Sequence, residues 1–198
     1  MLGLSLLLIG CSDDSEEKLA NDKTNETQQP VSYDPYTNDF GQFEITAKKE
    51  QLELTETASD ISLTIQSIEQ GKVKLSDYYA PTYENMANNE GYVPYIKAHM
   101  KIDAPIDELK ENTIFYAYQA SILTDTGHST QSESTFSDKV SIENNDVMQL
   151  EGDIYFILSN HEELESITIT VPAPFDKETN LSVSDNLTFK IDLTESDD

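Results

Sequence analysis

The chain has 198 residues, of which 37% are hydrophobic and 9% aromatic, so it is long and apolar enough to bury the core of one domain. It carries 38 acidic residues against 12 lysines and no arginine, with a formal net charge of -26. A nucleic-acid-binding protein needs a basic surface that neutralises phosphates, and this composition excludes one. The same charge disfavours electrostatic docking on an anionic membrane. The acidity suits simple solubility, bound divalent cations or a basic partner.

The first residues have the pattern of an export signal. Residues 1–10 are rich in leucine and too short to span a bilayer, which takes about 20 apolar residues, but they match the hydrophobic part of a signal peptide. Because the usual basic residues before this part are missing, we expect the true start codon to lie upstream. The alternative is a buried strand or helix, which the acidic block directly after Cys11 disfavours.

Leu8, Ile9, Gly10 and Cys11 resemble the bacterial lipobox, in which apolar and small residues precede a cysteine. The resemblance implies that the Cys11 thiol is diacylglycerylated, that the signal is cleaved before it and that Cys11 becomes the mature N-terminus. It therefore predicts an extracytoplasmic protein anchored to the cell membrane by lipid. If Cys11 is instead an ordinary buried thiol, the chain still forms no internal disulfide, because it has a single cysteine.

Residues 11–38 predict a flexible acidic tether that follows the lipidated cysteine. They are rich in Asp, Glu, Asn, Thr and Gln and show neither helical nor strand periodicity. Tyr33 and Tyr36 either dock on the domain or stay loose. At the other end, residues 195–198 predict an acidic tail, which leaves residues 39–194 as the folded domain.

Within the predicted domain, apolar and polar residues alternate with period two, as Ile61, Leu63 and Ile65 illustrate. Such runs predict strands at 43–45, 51–55, 61–66, 95–102, 113–123, 152–158, 167–171 and 187–193. Turn-forming residues at 70–71, 89–91, 125–127, 144–146 and 172–174 separate them. Six to eight short strands without intervening helices predict an all-β fold, an antiparallel immunoglobulin-like Greek-key sandwich.

The order of these segments resembles a known group of domains. The stretches "ISLTIQSIEQGKVKL", "YVPYIKAHMKIDAPIDE", "FYAYQASILTDTGH" and "LESITITVPAP", with the closing "LTFKIDL", are similar to immunoglobulin-like sandwich domains of unknown function on lipoproteins of low-GC Gram-positive bacteria. The resemblance covers residues 61–193 and implies the fold, a surface location and a binding or structural role, without any catalytic residue. The "SDD" after Cys11 also resembles surface lipoproteins of Bacteroidetes, so both types of cell envelope stay open.

The sequence predicts no catalytic site. His99, His128 and His161 lack the spacing of an HxH or HExxH zinc site, which predicts isolated surface histidines. A Gly-x-Ser-x-Gly motif is absent, and Cys11 is assigned to lipid. An envelope hydrolase is the least favoured alternative, because it would need clustered titratable groups in a cleft.

Calcium is the one cofactor that the sequence suggests, and only through oxygen-rich turns. Asp125 lies in one such turn, and Glu143 and Asp146 flank another. Asp, Asn and Gly are also the residues that any turn prefers, so a role in turn geometry is the simpler interpretation. A divalent-cation-dependent structural or solute-binding lipoprotein is therefore our alternative function.

A tyrosine-rich segment, residues 76–95, is our candidate binding site. It is long for a sandwich loop and carries Tyr78, Tyr79, Tyr83, Tyr92 and Tyr95, a residue type suited to recognition of protein or carbohydrate. The alternative is that the last two belong to the next strand and the others cover the end of the core. The favoured function is a non-catalytic interaction module for an unknown protein or envelope component.

Overall fold

The computed structural model describes residues 32–143, 146–160 and 163–194, which belong to one compact unit beginning at Ser32. The predicted signal segment, Cys11, His161 and the tail 195–198 lie outside these residues. The strands are β1 (Tyr36–Thr37), β2 (Gly41–Lys49), β3 (Leu54–Ala58), β4 (Ile61–Leu75), β5 (Tyr92–Asp103), β6 (Thr113–Tyr116), β7 (Ser121–Thr124), β8 (Ser129–Gln131), β9 (Ser141–Glu143), β10 (Asp146–Gln149), β11 (Glu151–Ile157), β12 (Ser166–Val171), β13 (Phe175–Asp176), β14 (Leu181–Ser182) and β15 (Leu187–Asp192).

The strands pair in three antiparallel sheets, which confirms the all-β prediction. The first sheet has the order β1-β2-β4-β5-β11, with β3 also paired to β4. The second has the order β10-β9-β6-β13-β14, and the third β15-β12-β7-β8. Helical structure in the described residues is limited to short 3-10 turns, of which Ala80–Tyr83 and Ala117–Gln119 matter here.

One main core joins all three sheets. Its members from the first sheet include Leu63 and Ile96, and the other two sheets contribute Phe115, Ile142 and Ile169. The first sheet therefore packs one face against the second and third sheets, in a two-layer arrangement. The alternation predicted in β4, β5, β12 and β15 is confirmed, because its inward residues are buried in this core.

The opposite face of the first sheet is also partly covered, by a smaller cluster around Phe43, Tyr95 and Tyr155. A bulge makes this possible. The pairing of β4 with β5 shifts between Ile65 and Ser67, and an extra residue in a strand reverses the alternation that follows it. Beyond the bulge, Glu69, Gly71, Val73 and Leu75 therefore face the smaller cluster.

Two strand predictions need correction. The turn predicted at Gln70–Gly71 is wrong, because β4 runs through it without a break. A side chain at Gly71 would lie 2.2 Å from the Glu44 carbonyl oxygen, so the glycine admits a close approach of β2 rather than a turn. The single strand predicted at 113–123 is interrupted at Ala117–Gln119, where the chain passes from the second sheet to the third.

The folded unit also begins earlier than the predicted domain boundary at residue 39. Tyr36 and Thr37 form β1 and pair with Phe43 and Gln42. The Tyr36 ring stacks on Phe43 at a centroid distance of 4.8 Å and an interplanar angle of 1°. Of the two tether tyrosines, Tyr36 thus docks on the first sheet.

Candidate functional site

The tyrosine-rich segment connects β4 to β5 and is held by its own backbone. The N–H groups of Tyr79 and Ala80 both donate to the Ser76 carbonyl oxygen, and those of Met86 and Ala87 both donate to the Tyr83 carbonyl oxygen. Pro81 lies in the first 3-10 turn, where its fixed φ suits the geometry. The segment is therefore an ordered cap on the hairpin.

The structure separates the five tyrosines into different roles. Tyr92 and Tyr95 belong to β5, and the Tyr95 ring is fully buried. The hydroxyls of Tyr92 and Tyr83 donate to carboxylates, in the first case to Glu44 Oε1 at 2.6 Å and in the second to Glu133. These contacts commit three of the five side chains to the fold.

Tyr79 and Tyr78 complete the set. The Tyr79 ring lies 5.6 Å from Phe40 and 5.1 Å from Phe136, so it covers the smaller cluster. Tyr78 packs edge-on against Tyr79 at 4.9 Å and is 83% exposed. Of the predicted binding residues, Tyr78 is the one that presents its ring to solvent from a supported position.

Beneath the 3-10 turn lies a cavity of about 420 Å³, which we call the hairpin cleft. Its lining is mainly apolar and consists of Leu75, Ala80, Pro81, Tyr83, Ala87, Gly91 and Val93, together with Asp77 and Glu84. A volume of this size falls in the range of small-molecule sites, about 300–1,000 Å³. The sequence did not predict the cleft. Its lining combines residues from the end of β4, the connecting segment and the start of β5, and neither alternation nor tyrosine content shows that these meet.

Two carboxylates line the hairpin cleft. Asp77 and Glu84 are exposed, and neither makes an ion pair with another residue in the described ranges. Of the nearby lysines of β4, Lys72 pairs with Glu44 at 2.9 Å, whereas Lys74 Cε lies 3.9 Å from the position that a Cβ would take at Gly91, so Lys74 reaches the rim of the cleft. The site thus combines an apolar interior with carboxylates.

A second feature, absent from the sequence predictions, is a buried ion pair on the same face of the first sheet. Glu69 Oε2 lies 2.8 Å from Lys97 Nζ, and their side chains are 4% and 16% exposed. The hydroxyls of Tyr36 and Tyr95 both donate to Glu69 Oε1, at 3.0 and 2.7 Å. We call these four residues the Glu69 cluster. Burial is the main cause that raises the pKa of both tyrosines above the usual range, so both hydroxyls stay protonated as donors.

His99 lies on the same face and is bonded at both ring nitrogens. Its Nδ1 is 2.8 Å from Asp153 Oδ1, and its Nε2 is 3.0 Å from Glu151 Oε1. Partial burial lowers the pKa of His99, but the hydrogen bonds to the two carboxylates outweigh it and raise the pKa above the ordinary value of 6.5. His99 was predicted as an isolated surface histidine; the structure gives it two partners.

The calcium candidates are engaged in the fold where their side chains are described. Asp125 accepts hydrogen bonds from the backbone N–H groups of Thr126 and Glu165, at 3.1 and 2.9 Å. Glu143 bonds the Tyr116 hydroxyl and raises the pKa of Tyr116 to about 12. The side chain of Asp146 lies outside the described set. Among the described residues, no group of three or more His, Cys, Asp or Glu side chains is arranged to hold a metal ion.

Comparisons with known proteins support the fold. No family model and no curated protein matches the chain. Among solved structures, a functionally unknown protein from Listeria monocytogenes EGD-e is similar, with 16% sequence identity, a TM-score of 0.52 and coverage of 78% of this chain and 89% of that chain. Within the part of the chain that the structure describes, no helix is long and apolar enough to cross a membrane. At this level of identity the likeness shows an all-β fold shared with that protein.

Proposed function

We propose that the protein is a lipid-anchored, extracytoplasmic binding module without catalytic activity, which captures a protein partner through the hairpin cleft and Tyr78. The observation that carries the proposal is an apolar cleft in the same segment as a supported, 83% exposed tyrosine, Tyr78, which directly follows the lining residue Asp77 in the chain. We further propose that the two-layer fold is the immunoglobulin-like Greek-key sandwich. Antiparallel pairing throughout and the core shared by all three sheets support this.

The chemistry of the cleft favours a protein segment as the occupant. Its mainly apolar lining suits an apolar side chain better than a sugar, which would have only the Asp77 and Glu84 side chains as charged hydrogen-bond partners there. Asp77 and Glu84, in a chain of net charge -26, favour lysine or arginine beside that side chain. The proposed partner therefore presents an apolar residue flanked by basic residues.

The titratable groups outside the cleft support a non-catalytic role. Glu69 and Lys97 neutralise each other, and both nitrogens of His99 hydrogen-bond to carboxylates. A general base needs a free lone pair at a position that substrate reaches. These groups are instead paired with one another inside the fold.

The proposal is tested with fluorescein-labelled peptides of defined composition, measured by anisotropy on the full chain. A peptide of alternating Leu and Lys is expected to bind saturably, a Leu and Glu peptide is not, and a Ser and Lys peptide binds about tenfold more weakly because it leaves the cleft empty. Ala87→Trp, which fills the cleft, and Tyr78→Ala are expected to abolish or weaken binding of the first peptide.

The matched control is Leu123→Ala on β7, an exposed apolar residue outside the cleft, which is expected to leave binding unchanged. Tyr79 and Tyr83 are unsuitable test positions, because their packing and hydrogen bonding support the fold. The cleft is refuted as the site if peptide affinity depends on lysine content alone. It is also refuted if the Leu and Lys peptide still binds to a folded Ala87→Trp protein.

We also propose Cys11 as the lipid attachment site, on the resemblance of residues 8–11 to the lipobox. The acidic residues 12–31 then separate the membrane from the folded unit that begins at Ser32. This arrangement presents the cleft to partners outside the cytoplasm.

A further inference from the structure

A second cavity, of about 570 Å³, lies where the chain crosses from the second sheet to the third. It is lined by Tyr118, Gln119, Gln131, Ser132, Ser134, Lys139 and Pro172, and we call it the Tyr118 cavity. Tyr118 belongs to the 3-10 turn Ala117–Gln119, and Gln131 ends β8. The position is therefore fixed by two sheets and by the loop that follows β8.

The lining differs from the hairpin cleft in charge. Among the described residues that form it there is no carboxylate, although the chain has 38 acids. Its one charged group, Lys139, forms no ion pair with a described carboxylate; the ammonium donates to the Ser134 carbonyl oxygen at 2.8 Å. A basic peptide therefore finds no counter-charge in the lining.

The lining groups are instead those that bind a polar, uncharged molecule. The amides of Gln119 and Gln131 each offer donors and an acceptor, and both residues are exposed. The Ser132 hydroxyl donates to the Tyr118 carbonyl oxygen, which ties the loop to the 3-10 turn. The Lys139 ammonium has three hydrogens, of which the Ser134 carbonyl takes one.

The aromatic wall completes the site. The Tyr118 ring is half-buried and packs against the main core, and Tyr116 supports it at a centroid distance of 5.4 Å. The Lys139 ammonium lies over the Tyr118 ring, 4.6 Å from its centre, so it covers part of one face of the ring. An aromatic side chain beside amides, hydroxyls and one ammonium matches the two surfaces of a sugar ring, which has apolar C–H groups and equatorial hydroxyls.

We propose that the Tyr118 cavity binds a neutral sugar unit of a glycan, independently of the hairpin cleft. The -26 charge of the chain disfavours acidic sugars, and the absence of a carboxylate from the described lining disfavours cationic ones. The sugar contacts the Tyr118 ring beside the Lys139 ammonium, and the amides and that ammonium hydrogen-bond to its hydroxyls.

The test is a titration of the ¹⁵N-labelled full chain, followed by NMR, with two neutral trisaccharides, cellotriose and N,N′,N″-triacetylchitotriose, and with trigalacturonic acid as the charged comparison. At least one neutral trisaccharide is expected to cause saturable shifts at Tyr118, Gln131 and Lys139 below about 10 mM. Trigalacturonic acid is expected to cause none.

Two variants localise the effect. Tyr118→Leu is expected to weaken binding about tenfold, and Gln131→Ala, at an exposed position that leaves the core intact, about threefold. Leu181→Ala, at an exposed position on β14 outside the cavity, is expected to leave sugar binding unchanged. Absence of saturable shifts with both neutral trisaccharides overturns the proposal, as do shifts that survive Gln131→Ala and a folded Tyr118→Leu. Neither result bears on peptide binding at the hairpin cleft.

Discussion

Glu69 is the residue whose environment differs most from what its type prefers. A carboxylate is seldom buried unless it is paired, and Glu69 is 3% exposed in the centre of the first sheet. Lys97 supplies the counter-charge, and two tyrosine hydroxyls supply hydrogen bonds. Such a pair adds little to stability compared with apolar residues of equal volume, but removal of one partner leaves a buried charge uncompensated.

Glu69→Gln is therefore expected to lower the free energy of unfolding by about 3 kcal/mol, because Lys97 loses its counter-charge in a largely buried site. Urea denaturation measures the change. The matched control is Glu44→Gln, which removes the exposed cross-strand pair with Lys72 on the same β4 and is expected to cost less than about 1 kcal/mol. Equal losses in both variants would show that burial does not govern the Glu69 pair.

His99 makes stability depend on pH in a defined direction. The pKa of its folded form is raised, so its contribution is fully present below the unfolded value of 6.5 and is lost as pH rises through the folded pKa. We expect the difference in unfolding free energy between the wild type and His99→Gln to shrink as pH rises from about 6 to about 9. Chemical denaturation of both proteins across this range measures it; a difference that grows with pH contradicts the assignment.

At the scale of elements, β4 organises the molecule. Its first half faces the main core through Ile61, Leu63 and Ile65, and the bulge before Ser67 turns Val73 and Leu75 to the other face. The strand thereby belongs to both hydrophobic clusters. The alternation of the sequence predicts the first half correctly, but the second half was predicted as a turn at Gln70–Gly71 and the bulge was not predicted.

Alternation in the sequence predicts which face of a strand is buried. It does not predict the burial of a residue that a distant part of the chain covers. The inward faces of β5, β12 and β15 follow from alternation alone. Tyr36 covers Glu69 and Phe43 packs against Tyr95, and both covering residues are distant in the sequence, so alternation carries no signal for the burial of Glu69. The hairpin cleft is similar, because its lining joins both strand ends to the turn between them.

The two-residue strand β1 depends on one side chain. Tyr36 stacks on Phe43, donates to Glu69 and accepts from Lys97 at 3.3 Å. Tyr36→Phe is expected to cost about 1 kcal/mol through the lost hydroxyl, and Tyr36→Ala about 3 kcal/mol because the stacked ring is lost as well. Denaturation gives both values, and Thr37→Ala, at the exposed neighbour, is the control. If Tyr36→Ala left the free energy of unfolding unchanged, β1 would not stabilise the Glu69 cluster.

At the scale of the whole molecule, the two faces of the first sheet have different tasks. One closes the main core, and the other carries the Glu69 cluster, His99 and the base of the tyrosine-rich segment. A net charge of -26 produces a negative potential that would attract a basic partner over a distance set by ionic strength. Binding at the hairpin cleft should therefore weaken as salt rises.

The proposed anchor predicts where the protein is found. Cys11→Ala removes the thiol that would carry the lipid, and we expect this variant to leave the membrane fraction for the soluble one, whereas the wild type stays with membranes. Fractionation and mass spectrometry of the N-terminal peptide measure both. Ser12→Ala, next to Cys11, is the control. An unmodified Cys11 in membrane-associated protein would contradict lipid attachment at this residue.

The central claim, capture of a protein segment by the hairpin cleft, is tested most directly by site-specific crosslinking on intact cells that produce the full chain. A benzophenone amino acid replaces Tyr78, and in a control it replaces the exposed Leu123. Mass spectrometry then identifies the peptide joined to each position. The account predicts a discrete adduct at position 78, on a peptide with an apolar residue beside lysine or arginine, that disappears when Ala87→Trp fills the cleft. Adducts that are the same at both positions, that lack basic residues or that persist in Ala87→Trp would contradict it.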